Sequence, residues 1–196
     1  MREYELEKHM SLAQLQPESL AGLRRRGSCQ FNVPEAVFDL DYPGQYFRRI
    51  HSLAVSIPSV AGPYANVSFA LTLLRSRVRV NPRPAPSYAW LGPRDERFIE
   101  QASPSKLVAS SSSPDAEMRY LPFEGEGAIS AWHLELSRQS SPFDYTTIGD
   151  VILHMRYTAR QGGEALRRAA VDSLRSIVAA QAENGPVKGP TRFVAK

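Results

Sequence analysis

Runs of alternating apolar residues constrain this chain more than any other feature of its sequence. Each run has a hydrophobic side chain at every second position, the pattern of a β-strand with one face in the core and the other in solvent. Turn segments rich in Pro and Gly separate the runs, which favours an antiparallel β-sandwich over strands that alternate with helices. We therefore predict a mainly β fold. The runs are Leu53, Val55 and Ile57; Val67, Phe69, Leu71 and Leu73; Trp132, Leu134 and Leu136; and Val151, Leu153, Met155 and Tyr157.

Two segments carry helix signals instead. "PESLAGLRRRG" has Pro17 at a first helical position, Glu18 in the first turn and Gly27 as a stop, which predicts one short helix in the N-terminal half. After residue 163 the composition changes, and "EALRRAAVDSLRSIVAAQAENGP" has the period of an amphipathic helix. Its apolar face is mostly alanine, so we expect it to pack on the sandwich or on a partner rather than on a membrane.

These signals divide the chain into a sandwich domain, residues 1–163, and a C-terminal helix and tail, residues 164–196. At the N-terminus we predict a strand from Lys8 to Leu15. The first seven residues are compatible with the end of a helix. Residues 81–117 are rich first in proline and then in serine, which predicts a mobile insertion within the sandwich.

Composition and charge narrow the function classes. The net charge of +4 allows nucleic acid as a partner without requiring it, and we expect none. The single cysteine, Cys29, cannot form an internal disulfide, and its alternating neighbours predict a buried thiol. "MREYELEKHM" is too charged for a signal peptide, so we expect synthesis in the cytoplasm without one.

The segment "FDLDYPGQYFRR" places two carboxylates, Asp39 and Asp41, beside a Pro-Gly turn and two arginines. Such a pair can serve acid-base chemistry or a metal ion, but it also suits a turn in which Gly44 takes a positive φ. We favour the structural interpretation, with Arg48 or Arg49 paired to the acids.

The sequence contains no motif of a known catalytic or cofactor-binding site, so we predict no enzyme activity, no cofactor and no metal. None of its four histidines has metal-ligand spacing. His133 and His154 fall on predicted strands, a placement that can bring them together across the sheet, but two imidazoles alone make a weak metal site.

Arg75, Arg77 and Arg79 alternate along one predicted strand and therefore share a face. A cationic face attracts phosphate or an acidic protein surface, but it is also typical of a solvated edge strand that resists aggregation, and we favour the edge. Tyr88 and Trp90 in the proline-rich stretch could stack on a sugar.

Three long motifs resemble one family together and in order: "SLAQLQPESLAGLRRRGSCQFNVPEAVFDLDYPGQYFRRIHSLAVSIPSVAGPYANVSFALTLLRSRVR", "RYLPFEGEGAISAW" and "FDYTTIGDVILHMRYTARQGG". The chain is similar, from about residue 1 to 163, to the C-terminal region of the A subunit of bacterial insecticidal toxin complexes (Tc toxins).

The resemblance implies a docking domain rather than an enzyme. It implies that the region receives the β-propeller of a hollow B–C cocoon at the entrance of a translocation channel, within a pentamer, and that the complex is secreted or released. The alternative is a carbohydrate-binding sandwich. For partner binding, the candidate residues are Arg75, Arg77, Arg79, Arg83, Tyr88 and Trp90.

Overall fold

A computed structural model describes residues 2–58, 67–101, 105–111, 122–137 and 144–183, and everything below concerns those residues. The strands are β1 (Glu3–Ser11), β2 (Ser28–Val33), β3 (Gln45–Ser56), β4 (Val67–Arg79), β5 (Phe98–Gln101), β6 (Ser105–Ser111), β7 (Ile129–Leu136) and β8 (Ile152–Gln161). The helices are α1 (Leu12–Leu15), α2 (Pro17–Arg26), α3 (Glu35–Asp39) and α4 (Glu164–Glu183), with a 3₁₀ turn at Tyr145–Thr147.

The strands form two antiparallel sheets, as the alternation predicts. Sheet A has the order β1-β8-β3, and sheet B has the order β2-β7-β4-β5. Strand β6 also pairs with β4, along its first half, while β5 pairs with its last four residues. The predicted antiparallel sandwich with added helices is confirmed.

The core lies between the inner faces of the two sheets. Leu53 and Leu153 of sheet A and Phe69, Leu71 and Leu134 of sheet B are all buried in one continuous cluster. Trp132 is fully buried and meets Phe123 edge to face, with ring centroids 4.9 Å apart. The period-two runs therefore mark the core face of each strand, because successive side chains of a strand point to opposite faces.

The N-terminus differs from the prediction. Strand β1 begins at Glu3, so the helical interpretation of the first residues is wrong, and the strand ends at Ser11 rather than Leu15. The Ser11 hydroxyl accepts a hydrogen bond from the Gln14 amide and caps the short helix α1. Backbone pairing along β8 outweighs the helix propensity of the Glu- and Lys-rich start.

Helix α2 agrees with its sequence signals. It begins at Pro17 and ends at Arg26, and the following Gly27 has a φ of 77°, the left-handed C-cap conformation. Arg24, in its last turn, donates to the carbonyls of Ile148 and Gly149, so it ties the helix to the segment before β8. Cys29 follows in β2 and is buried, as predicted.

The predicted C-terminal helix is confirmed as α4. Its first half packs on the sandwich through Leu166 and Ala170, whereas Ile177 and Val178 near its end are exposed. Gly44 has a φ of 84°, as the Pro-Gly turn predicts, and a side chain there would collide with the α4 backbone at Arg167. The predicted tail after residue 183 lies outside the described residues.

The stretch from 81 to 117 contains more structure than we expected. Phe98–Gln101 and Ser105–Ser111 are strands on β4, because their backbone groups find partners along an otherwise unpaired side of that strand. Residues 102–104 and 112–117 lie outside the described residues. The mobility of the insertion stays a prediction. Within the described ranges, no helix has the length and apolar character that a membrane crossing requires.

Candidate functional site

The arginine row of β4 lies on the outer face of sheet B. A register shift against β7 between Leu73 and Arg75 marks a β-bulge, after which Arg75, Arg77 and Arg79 point away from the core. Strand β4 lies inside the sheet, between β7 on one side and β5 and β6 on the other, so the edge-strand interpretation is wrong. The three side chains are also not equally available: Arg75 is exposed, Arg77 is half-buried and Arg79 is buried.

Arg79 is the centre of a buried ion-pair network. Its guanidinium is 1% exposed and makes a bidentate pair with Glu35 of α3, with N···O distances of 2.8 and 2.7 Å. It also donates to the Tyr88 carbonyl at 2.6 Å, and it lies between the rings of Tyr88 and Phe98, 4.5 and 4.4 Å from their centroids. Arg79 therefore joins α3 to the proline-rich segment.

Arg48 completes the network from sheet A. A register shift and a φ of 56° at Phe47 interrupt β3 before Arg48, and such bulges re-aim side chains. Arg48 is 2% exposed and donates to Asp39 at 2.7 Å. The other oxygen of Asp39 accepts the Tyr88 hydroxyl at 2.5 Å. The expected pairing of an arginine with the acids is thus confirmed for Arg48.

The two carboxylates of the opening motif do not form a catalytic pair. Asp39 is buried and bound by Arg48 and Tyr88, whereas Asp41 is part-exposed and pairs with Lys8 of β1 at 2.6 Å. Burial raises the pKa of Asp39, and burial together with the nearby carboxylates Glu35 and Asp39 raises the pKa of Tyr88. Each acid has its own cation, and the geometry supports the structural interpretation.

We call the proline-rich segment, residues 81–97, the arm. Besides Arg79, Arg97 also holds the main chain of the arm in place. Its Nε and Nη2 atoms bind the Asp95 carboxylate at 2.8 and 2.6 Å. Its remaining N–H groups donate to main-chain carbonyls along the arm, including those of Ser87 and Ala89. The side-chain hydrogen bonds from Arg97 hold the pKa of Asp95 well below its usual range. Five fixed donors make arginine suited to gathering several acceptors at once.

The two aromatic side chains of the arm cover arginines. The Trp90 ring lies 3.3 Å from the Arg77 guanidinium, measured to the ring centroid, and the Tyr88 ring lies over Arg79. Arg77 also lies 3.7 Å from Glu100 of β5. One face of each ring is therefore occupied within the domain, so neither ring has two faces open to stack on a sugar.

The solvent side of the arm carries exposed arginines, the exposed Glu96 and one exposed apolar side chain. Arg83 and Arg94 line a surface depression together with Leu91, whose side chain is 60% exposed. Arg75 is exposed on the outer face of the same sheet. We call Arg75, Arg83, Leu91 and Arg94 the arm surface. The predicted candidates thus fall into two groups, with Arg75 and Arg83 exposed and Arg79 and Tyr88 engaged below the arm.

Sequence reasoning missed Glu35 and Arg97, which hold the arm. Glu35 reaches Arg79 across 44 positions of sequence, and no local pattern marks such a contact. One sequence feature could have indicated that the arm packs on β4. A strand arginine, Arg79, is followed by a proline-rich segment that has no hydrophobic core of its own.

The structure does not bring His133 and His154 together, so the predicted approach of these two histidines across a sheet is wrong. His133 lies on β7 of sheet B and His154 on β8 of sheet A, so they cannot meet across one sheet. His154 lies opposite His9 of β1 instead. In the described ranges, no three His, Cys, Asp or Glu side chains lie together as a metal site.

Comparisons with known proteins match this domain as a whole. Residues 1–159 match the family model of the Tc toxin complex TcA C-terminal TcB-binding domain. The chain is 30% identical over 193 residues to toxin subunit YenA2 of Yersinia entomophaga, an alignment that covers 90% of this chain and 14% of that protein. A Yersinia pseudotuberculosis TcaA-TcaB structure determined by cryo-electron microscopy overlays 82% of this chain and 10% of that chain, with 19% identity and a TM-score of 0.46.

Proposed function

The chain belongs to the family of Tc toxin complex TcA C-terminal TcB-binding domains, and from this premise we propose that it docks a TcB subunit. The match over residues 1–159, which includes both sheets and the arm, is the observation that carries the proposal. The chain spans only 14% of the curated relative's length, so the function of a whole toxin subunit extends well beyond this domain.

In finer terms, we propose that the partner is the β-propeller of a B–C cocoon, received at the entrance of a translocation channel. Five copies of the domain, carried by a pentameric A subunit, would bind it together. We propose further that the complex is released from the bacterium and that the domain acts by binding rather than by catalysis.

The arm surface is the part of the domain that best suits this role. Arginine is enriched at protein interfaces because its planar guanidinium pairs with carboxylates through two hydrogen bonds. Arg83 and Arg94 present two such groups beside the exposed side chain of Leu91, and Arg75 presents a third on the outer face of the same sheet. An acidic rim on the partner would be steered toward them.

Arg79, Arg97 and Tyr88 serve this surface by positioning it. A loop that binds a partner pays the entropy of ordering unless the fold orders it beforehand. The buried network below the arm holds its main chain through hydrogen bonds from Arg79 and Arg97. Arg77 and Trp90 lie between the two groups, since each is half-buried in contact with the other.

Association rates measured by biolayer interferometry test the proposal. The domain is fused to a pentamer-forming scaffold, because five copies supply the avidity that a single copy lacks. The probe is the purified TcB subunit of a Tc toxin complex. Reversing two exposed charges, Arg75→Glu with Arg83→Glu, should slow association at least tenfold and reduce its salt dependence.

Two exposed arginines of α4 provide the matched control. Arg168→Glu with Arg175→Glu makes the same change in net charge on side chains that are each 77% exposed. If both double variants slow association equally, the arm surface is not the site. If the pentamerised domain binds no propeller subunit at all, the docking role itself is wrong.

A further inference from the structure

The outer face of sheet A carries two charged pairs between β1 and β8, with Glu5 opposite Thr158 between them. Glu3 lies directly opposite Arg160, and Glu7 lies directly opposite Arg156. Their shortest N···O distances are 2.5 and 3.8 Å. The next outward position breaks this pattern, because His9 there lies opposite His154.

The two imidazole rings approach each other through the Nδ1 atom of each ring. The Nδ1 atoms of His9 and His154 are 2.6 Å apart, and the ring centroids are 4.7 Å apart at an angle of 74°. Two nitrogen lone pairs cannot face each other at this distance unless a proton or another cation lies between them. The pair is exposed, with 60% of the His9 side chain accessible to solvent.

The other ring nitrogens have their own neighbours. Nε2 of His154 lies 2.9 Å from the Ser56 hydroxyl of β3, and Nε2 of His9 lies 3.8 Å from the Glu7 carboxylate. Metal-binding histidines commonly donate the N–H of the second ring nitrogen to such groups, which fixes the ring and leaves the first nitrogen free to bind. With the Ser56 hydroxyl accepting the Nε2–H of His154, the Nδ1 lone pair of that ring is directed at His9. Glu7 lies beyond hydrogen-bond distance and contributes a negative charge beside the His9 ring.

We propose that His9 and His154 form a surface site for one divalent late transition metal ion, with water in the remaining coordination positions. Imidazole nitrogen suits Zn²⁺, Ni²⁺ and Cu²⁺. With metal–nitrogen bonds of about 2.0–2.1 Å at a tetrahedral angle, two ligand nitrogens lie about 3.3 Å apart. The rings need to separate by only about 0.7 Å from their present 2.6 Å, which the exposed His9 side chain permits. The bound ion would join β1 to β8.

Metal titration of the untagged protein, after removal of trace metal with EDTA, tests the site. Calorimetry with ZnCl₂ and separately with NiCl₂ should give one saturable site per chain, and the melting temperature should rise with metal. Either His9→Gln or His154→Gln should weaken binding at least tenfold. Amide exchange in β1 should slow when metal is added, since the ion joins that strand to its neighbour.

His51→Gln is the matched control. His51 is also a half-exposed histidine near carboxylates, Glu5 at 4.0 Å and Glu124 at 3.8 Å, but it has no imidazole partner in the contacts that the structure describes. This variant should bind metal as the wild type does. Melting curves in EDTA report whether each variant is folded. No saturable binding below about 1 mM metal, or equal binding by wild type and by both variants of the pair, would overturn the proposal.

Discussion

The outer faces of the two sheets use the same residue types and differ in burial. On sheet A, Glu3–Arg160 and Glu7–Arg156 are cross-strand pairs whose side chains are 30% to 46% exposed. On sheet B, Arg79–Glu35 lies beneath the arm, with side-chain exposures of 1% and 12%. Both faces pair arginine with an acid, but only one of them excludes water.

This difference decides what each pair does for the protein. An exposed pair gains little, because water screens it and two long side chains lose entropy, so it contributes about 0–1 kcal/mol. A buried pair gives weak net stabilisation too, but breaking it leaves a charge without solvent or partner. We infer that sheet A uses its charges for solubility and register, whereas sheet B uses them to fix the arm.

The largest expected effect is therefore the loss of Arg79. Arg79→Met preserves the length of the side chain but leaves Glu35 with only the longer 3.5 Å pair to Arg48, and leaves the Tyr88 carbonyl without its donor. We expect the free energy of unfolding to fall by about 3–5 kcal/mol, measured by urea denaturation at pH 7.

The same substitution on the exposed face is its control. Arg156→Met removes the partner of Glu7 and should cost less than about 1 kcal/mol. Equal losses in the two variants would show that burial does not separate the faces.

The second comparison uses the two aspartates of one motif. Asp39→Asn places an amide N–H₂ where Arg48 and Tyr88 both donate, and only one of them can then find an acceptor. We expect a loss of about 1.5–3 kcal/mol, because hydrogen bonds to a buried charge are the strong ones. Asp41→Asn, which weakens the part-exposed pair with Lys8, should cost about 1 kcal/mol or less. A larger loss in Asp41→Asn than in Asp39→Asn would contradict the network.

The third prediction concerns the arm alone. The pKa of Asp95 is lowered by its hydrogen bonds from Arg97, so the folded protein holds this carboxylate ionised below its ordinary pKa of about 3.9. Its stabilisation is fully present above that pH and is lost as the pH falls toward the lowered value.

The free energy of unfolding of Asp95→Asn should therefore be about 1–2 kcal/mol lower than that of the wild type at pH 7. The difference should shrink below about pH 4, where the unfolded wild type takes up its proton. Urea denaturation at pH 7 and pH 3 measures both values. An undiminished difference at pH 3 would contradict an ionic role for Asp95.

The sequence predicted the parts of this molecule that depend on local periodicity. The alternating runs mark the core faces of β3, β4, β7 and β8, and the cap signals at Pro17 and Gly27 mark both ends of α2. These features follow from side-chain spacing and backbone preference within one segment.

The network under the arm depends on contacts that have no local signal. The bulge before Arg48 turns that side chain inward, and Glu35 meets Arg79 from a distant part of the chain. An arginine row has the same appearance in sequence whether it is covered or solvated. Only the path of the arm over β4 distinguishes Arg79 from Arg75, and that path is a tertiary property.

The smallest expected effect belongs to Glu3–Arg160, the cross-strand pair of sheet A whose arginine has a second partner. Glu3→Gln removes one charge from a pair whose side chains are 42% and 30% exposed. Arg160 also lies 3.9 Å from the Phe47 ring centroid, so it keeps a partner without Glu3. We expect a loss below about 0.5 kcal/mol in low salt, which vanishes in 1 M NaCl, where the screening length is about 3 Å. Because Arg79 is shielded from solvent, the loss in Arg79→Met should barely respond to the same salt. A loss above about 1 kcal/mol in Glu3→Gln that persists in 1 M NaCl would mean that exposure does not control the strength of these pairs.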